Sequence, residues 1–189
     1  NLVPGKSSGC NGSNCSMEKL KIIVVGAGMG GLTTALAMRQ AGYEVDVYDR
    51  VKALRPAGAG ISLWSNGVKV LNRLGLGSAI ATIGGPMEHM AYYEGKTGDL
   101  LTGFSLSPLI DRVGQAPYPV SRTDLQTMLL EAIGADQVQL NKRCVAIEQT
   151  IDSATAIFED GSKATGDVVV GADGTHSIIR KHVLGSPTE

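Results

Sequence analysis

The chain has 189 residues, a formal net charge of −1, a pI near 6.3 and 43% hydrophobic residues, enough for one well-cored soluble domain. Neither a basic patch nor an aromatic series points to nucleic acid. Three cysteines, Cys10, Cys15 and Cys144, lack ligand-like spacing; this argues against a zinc site or a disulfide framework and fits a reducing, cytoplasmic setting.

Residues 1–16 are rich in Gly, Ser and Asn and show no periodicity, so they read as a flexible leader of vector origin, with Met17 as the natural start. A short β-branched run, Leu20 to Val25, then predicts a buried parallel strand. Gly26-Ala27-Gly28-Met29-Gly30-Gly31 follows, with Gly26, Gly28 and Gly31 at G-x-G-x-x-G spacing. Leu32, Ala35 and Leu36 place an apolar helical face on the segment to Gln40. Ile22 to Met38 is uncharged, but its four glycines and α/β surroundings argue against a membrane span.

Each glycine of the turn answers its own demand: Gly26 the tight turn, Gly28 the approach of a pyrophosphate, Gly31 the near contact of helix and strand. Free N–H groups at the helix start face the phosphates. A second strand, Tyr43 to Tyr48, ends at Asp49, 23 positions after Gly26. An acid there accepts from the 2′-hydroxyl of an adenosine ribose and repels a 2′-phosphate, so the pocket is expected to reject NADP. Strand, turn, helix and acid together predict an adenine-dinucleotide site.

Arg50 to Gly60, with Pro56 and Gly58, reads as a loop near the dinucleotide. Ile61 to Trp64 leads into a helix from Ser65 to Leu74, with Trp64 expected in the core and stacking on a ligand as the alternative. After Gly84-Gly85-Pro86, the segments Met87 to Glu94 and Leu100 to Leu106 predict a β-hairpin. That excursion counts against a nicotinamide dehydrogenase, whose strands and helices would go on alternating. Pro117 to Val120 is extended, and Ser121-Arg122-Thr123-Asp124 opens a helix to Ile133 with Leu125, Met128, Leu129, Ala132 and Ile133 on its apolar face. Arg122 in the first turn opposes the helix dipole unless an anion lies nearby, which makes it a candidate cofactor contact; the alternative is a surface arginine.

Gln137 to Leu140, Arg143 to Gln149, Ala154 to Phe158 and Val168 to Val170 read as strands. Gly171-Ala172-Asp173-Gly174 puts Asp173 at the carboxyl end of the last, where open α/β sheets place ligands. A short helix continues to Val183, with His176 and His182 expected as ordinary helix residues.

Four stretches in this order, GAGMGG, VYDR, AGISLWSNG and GDVVVGADGTHSIIR, resemble the single-component FAD-dependent aromatic hydroxylases, from Met17 to about Gly185. Within that family VKALRPAGAGISLWSNGVKVL, FSLSPLIDR and PVSRTDLQ look most like the FAD-dependent urate hydroxylases, with salicylate-type hydroxylases sharing much of the framework. The resemblance implies a Rossmann-like α/β FAD-binding domain over 17–189, with 84–112 beginning a second, substrate-facing sheet. It implies that Gly26, Gly28, Gly30 and Gly31 hold the pyrophosphate, Asp49 and Arg50 the adenosine end, and Ser62 a loop contact. Arg122 would reach the ribityl or phosphate region, a backbone group near Cys144 the adenine, and Asp173 the cofactor. FAD reduced by NADH or NADPH would pass one oxygen atom from O2 to a small aromatic or purine substrate, with urate favoured and homo-oligomers expected as an option. The family's later half, with its substrate-binding residues, is not in this sequence, so no catalytic residue is assigned and the isolated chain is expected to be inactive. An NAD-dependent oxidoreductase and a non-catalytic dinucleotide-binding module are the rival readings.

Overall fold

The computed structural model describes residues 19–53 and 59–185. The leader at 1–16 and the loop positions Pro56 and Gly58 lie outside the described residues. The chain runs through β1 (Lys21–Val25), α1 (Met29–Gln40) and β2 (Glu44–Tyr48), then β3 (Gly60–Leu63), α2 (Ser65–Arg73) and α3 (Gly77–Ile83). A hairpin follows, β4 (His89–Tyr93) and β5 (Leu100–Ser105), then α4 (Ser107–Val113), β6 (Tyr118–Ser121) and α5 (Arg122–Ile133). The last elements are β7 (Val138–Gln139), β8 (Cys144–Gln149), β9 (Ala154–Phe158), β10 (Lys163–Gly166), β11 (Val168–Gly171) and α6 (Ile178–Leu184).

The central sheet is parallel throughout, in the order β11-β1-β2-β7, with Val24 set between Val170 and Val47. β1 has no polar face because both of its sides are covered. Ile22 and Val24 pack with Leu32, Ala35, Val45 and Val47 against the helices, and Leu125, Met128, Leu129 and Ile133 bring α5 into the same cluster. Ile23 and Val25 face the other way, onto Tyr48, Ala156, Phe158 and Ala164. That second cluster carries the antiparallel sheet β10-β9-β8, and the Tyr48 and Phe158 rings lie 4.8 Å apart. The result is three layers: helices, parallel sheet, antiparallel sheet.

The expected hairpin is present, antiparallel from His89↔Ser105 to Tyr93↔Leu100, and forms a two-stranded sheet of its own. Ser121 caps α5 by accepting from the Asp124 N–H at 3.4 Å. Three expectations need correcting. Trp64 is 44% exposed, not in the core: Ile61 and Leu63 turn inward along β3, so Ser62 and Trp64 alternate outward. Ala132 is exposed, beside the buried stripe of α5 and not in it. His176 lies in the turn before α6 and not in a helix, because Ser177 caps the helix and starts it at Ile178. α3, α4 and β10 were not expected from the sequence; α3 and α4 span seven residues each and β10 four, too few for a periodic pattern to stand out. Among the described residues no helix is long and apolar enough to cross a membrane.

Candidate functional site

The glycine turn between β1 and α1 is built against a second segment, the loop after β11. Gly26 has φ +111°, a conformation that favours glycine, and a Cβ there would stand 2.2 Å from the Ala172 carbonyl oxygen. A Cβ on Gly31 would stand 1.8 Å from the Gly26 oxygen and 3.2 Å from the Ala172 Cβ, so the contact Gly31 permits is with the turn and this loop. Gly28 is different: among the described residues no atom other than those of its chain neighbours lies within 4 Å of its would-be Cβ. It is the N-cap of α1, and neither a side-chain cap nor an acid in the first turn uses up the helix's free N–H groups. The open space above Gly28 and the unsatisfied helix start together fit a pyrophosphate.

Ala27, fully buried, is held by side chains at both of its polar groups. Its N–H donates to Asp49 Oδ2 at 2.6 Å, and its carbonyl accepts from Gln126 Nε2 at 3.0 Å. The other oxygen of Asp49 accepts from the Val51 N–H at 2.9 Å. The backbone around Asp49 is paired with the 139–142 segment: its N–H donates to the Gln139 carbonyl, and its carbonyl accepts from the Lys142 N–H. Asn141 turns that segment with φ 59°, a conformation asparagine tolerates.

A cleft of about 570 Å³ opens beside this turn. Gly26, Gly28, Asp49, Arg50, Cys144 and Asp173 all line it. Gly30, Gly31, Ser62 and Arg122 do not. Gly30 is exposed on the first turn of α1, Ser62 is exposed opposite Pro119, and Arg122 starts α5 with its N–H donating to the Ala59 carbonyl. Sequence reasoning missed Lys142, Arg143, His176 and Lys181 on the cleft wall. It also missed Gln126 behind the turn, although Gln126 falls one helical turn after Arg122 and so on the same face.

Four cations, Arg50, Lys142, Arg143 and Lys181, line the cleft with two carboxylates, Asp49 and Asp173, and two of the cations, Lys142 and Arg143, are ion-paired with Asp160 and Glu159. Both carboxylates are already bound to protein donors. Asp173 accepts from the Ser177 hydroxyl at 2.5 Å and the Ile178 N–H at 2.7 Å, tying the loop after β11 to the start of α6. Lys142 is fixed by donating to Asp160 at 2.6 Å and Ser162 at 2.8 Å, and it holds the Asp160 carboxyl well below the usual carboxylate range. The Cys144 thiol donates to the Ala146 carbonyl at 3.5 Å, and burial pushes its pKa up, which keeps it protonated and a poor nucleophile at neutral pH.

A parallel sheet with a glycine turn, an acid at the end of the second strand and an open anion cradle defines a dinucleotide-binding α/β domain. The model of the FAD binding domain family matches residues 19–187, and the chain belongs to that family. It is 48% identical over 170 residues to the FAD-dependent urate hydroxylase of Mycolicibacterium vanbaalenii, covering 89% of this chain and 43% of that protein. It is 35% identical over 176 residues to a 3-amino-4-hydroxybenzoate 2-monooxygenase of Streptomyces platensis, covering 92% of this chain and 44% of that protein. The crystal structure of Klebsiella pneumoniae HpxO complexed with FAD and uric acid matches with a TM-score of 0.83 and 46% identity, over 90% of this chain and 43% of that one. The chain thus spans less than half the length of these relatives.

Proposed function

We propose that the chain is the FAD-binding portion of a cytoplasmic monooxygenase that hydroxylates urate with NADH or NADPH and O2. The observation that carries this reading is the 48% identity to a urate hydroxylase across nearly the whole chain, joined to a cleft whose donors suit a dinucleotide. Bound FAD would supply the redox chemistry, taking up reducing equivalents from the nicotinamide and reacting with O2. The chain's own residues bind and orient it. The first-turn N–H groups of α1 and the Gly28 N–H take the pyrophosphate. Asp49 takes a ribose hydroxyl on its remaining lone pairs, since each carboxylate oxygen can accept more than the one backbone donor it holds here. Arg50 and the backbone near Cys144 flank the adenine, Arg122 and Ser62 serve the ribityl side, and Asp173 holds the loop that abuts Gly26.

Calorimetric titration with FAD and with NADP tests the cofactor half of this reading. FAD binding well above NADP is the expected result, and tighter binding of NADP would refute it. The substrate half is tested by grafting residues 19–187 in place of the matching portion of the Klebsiella pneumoniae enzyme and, separately, of the aminohydroxybenzoate monooxygenase. Hydroxylation should return in the first host and stay poor in the second. The reverse pattern would remove urate from the proposal.

A further inference from the structure

Taking the FAD reading above as its basis, we propose that Gln126 is a positioning residue that aims the Gly28 N–H into the cleft and so sets cofactor affinity without touching the cofactor. Ala27 stands between two glycines, one at φ +111° and one with open space around it, so little in the local chain fixes the plane of the Ala27–Gly28 peptide. That plane is fixed from outside by the hydrogen bond from Gln126 Nε2 to the Ala27 carbonyl, 3.0 Å long and reaching across 99 residues of sequence.

A trans peptide is planar, with its C=O and N–H pointing in opposite directions. Holding the Ala27 carbonyl on the α5 side therefore turns the Gly28 N–H the other way. Gly28 lines the cleft and Gln126 does not, as this geometry requires. The neighbouring Gly26–Ala27 peptide is fixed in the same fashion by Asp49 Oδ2, so these two peptide planes are held by side chains from the residue after β2 and from α5. Gln126 is half-buried and sits one helical turn after Arg122, which couples the pose of α5 to the donor that meets the phosphates.

The test uses Gln126→Met, which keeps the length and the uncharged state of the side chain and removes the carboxamide that donates to Ala27. Gln126→Asn, one methylene shorter, is the second variant should the first fail to fold. The readouts are FAD affinity by calorimetry and the amide resonance of Gly28 in the cofactor-free chain, which a purely packing role would leave in place. The expected result is FAD weakened about tenfold, the size of one lost hydrogen bond, with the Gly28 resonance shifted or broadened before any FAD is added. Binding within twofold of wild type, or an unmoved Gly28 resonance in a folded variant, would overturn the proposal. Failure of the wild-type chain to take FAD would instead overturn the cofactor reading on which it rests.

Discussion

Asp49→Ala separates two jobs that the structure gives to one carboxylate. In the cofactor-free chain the substitution orphans the Ala27 N–H, which is fully buried and otherwise bonded to Asp49 Oδ2 at 2.6 Å. A buried donor left without a partner costs about 1–3 kcal/mol. The second bond, from the Val51 N–H, adds little, because Val51 is 37% exposed and water can take the place of Oδ1. Stability without FAD should therefore fall by about 2 kcal/mol, equivalent to a drop of about 4–8 °C in Tm for a chain of this size.

FAD affinity should fall as well, by about 1–3 kcal/mol, the range for a lost bond to a charged group. Asp49→Asn keeps one carbonyl oxygen for the Ala27 N–H and should recover most of the stability but less of the affinity, since the charge-assisted bond to the ribose is gone. Urea unfolding of the cofactor-free proteins and calorimetric FAD titration give the two quantities separately. An Asp49→Ala chain as stable as wild type would show that the carboxylate does not hold the turn. An unchanged Kd for FAD would leave Asp49 as a strand-end residue with no part in binding.

Gly28→Ala should leave the cofactor-free stability within about 1 kcal/mol of wild type yet weaken FAD at least tenfold by filling the cradle, whereas Gly31→Ala should unfold the turn, its Cβ meeting the Gly26 oxygen at 1.8 Å; similar stability losses in the two variants would refute the distinction. Asp173→Ala should cost about 1 kcal/mol, as loss of a helix-start acceptor does, and weaken FAD only in step with that loosening; weaker FAD binding at unchanged stability would mean direct contact instead. Cys144, protonated and lining the cleft, should label slowly with iodoacetamide at neutral pH and more slowly still with FAD present, as read by peptide mass spectrometry, and fast labelling that ignores FAD would count against its placement. The Lys21 ammonium is raised above its ordinary pKa, chiefly by its hydrogen bond to Asp46, so its contribution is complete at neutral pH and is lost as pH rises through the folded-state value. The stability gap to Lys21→Met should accordingly narrow in strong alkali, and a gap independent of pH would refute the linkage.

What could be read from the sequence was whatever a local pattern encodes. The apolar run of β1, the glycine spacing, the acid at Asp49 and the capping at Ser121 each depend on neighbours within a few positions, and each predicted its element. The misreadings also have local explanations. Trp64 was assigned to the core by residue type, although the in-and-out alternation of Ile61, Ser62, Leu63 and Trp64 puts it outside. The residues that went unseen are those whose position depends on the three-dimensional path. Lys142 and Arg143 reach the cleft because the 139–142 segment pairs with the backbone at Asp49 and Val51, and no spacing in the sequence announces that pairing.

The glycine turn shows why a motif of this kind is a weak sign by itself and a strong one in context. Three separate parts of the chain converge on it: the Ala172 carbonyl stands where a Cβ on Gly26 would have to go, Asp49 holds the Ala27 N–H, and Gln126 holds the Ala27 carbonyl. All three come from stretches that carry the resemblance: the strand-end acid, the GADG stretch and PVSRTDLQ. The acids of the first two spend lone pairs on protein donors, Asp49 on Ala27 and Val51, Asp173 on Ser177 and Ile178. Part of what makes them matter to a cofactor is therefore exerted before it arrives, by fixing the backbone donors and the shape of the cradle. A turn with a glycine on each side of Ala27 has the freedom to approach a phosphate closely but not the rigidity to keep its N–H groups aimed. The chain supplies that rigidity from the residue after β2, from α5 and from the loop after β11, so the binding geometry is a property of the fold as a whole and not of the six residues that advertise it.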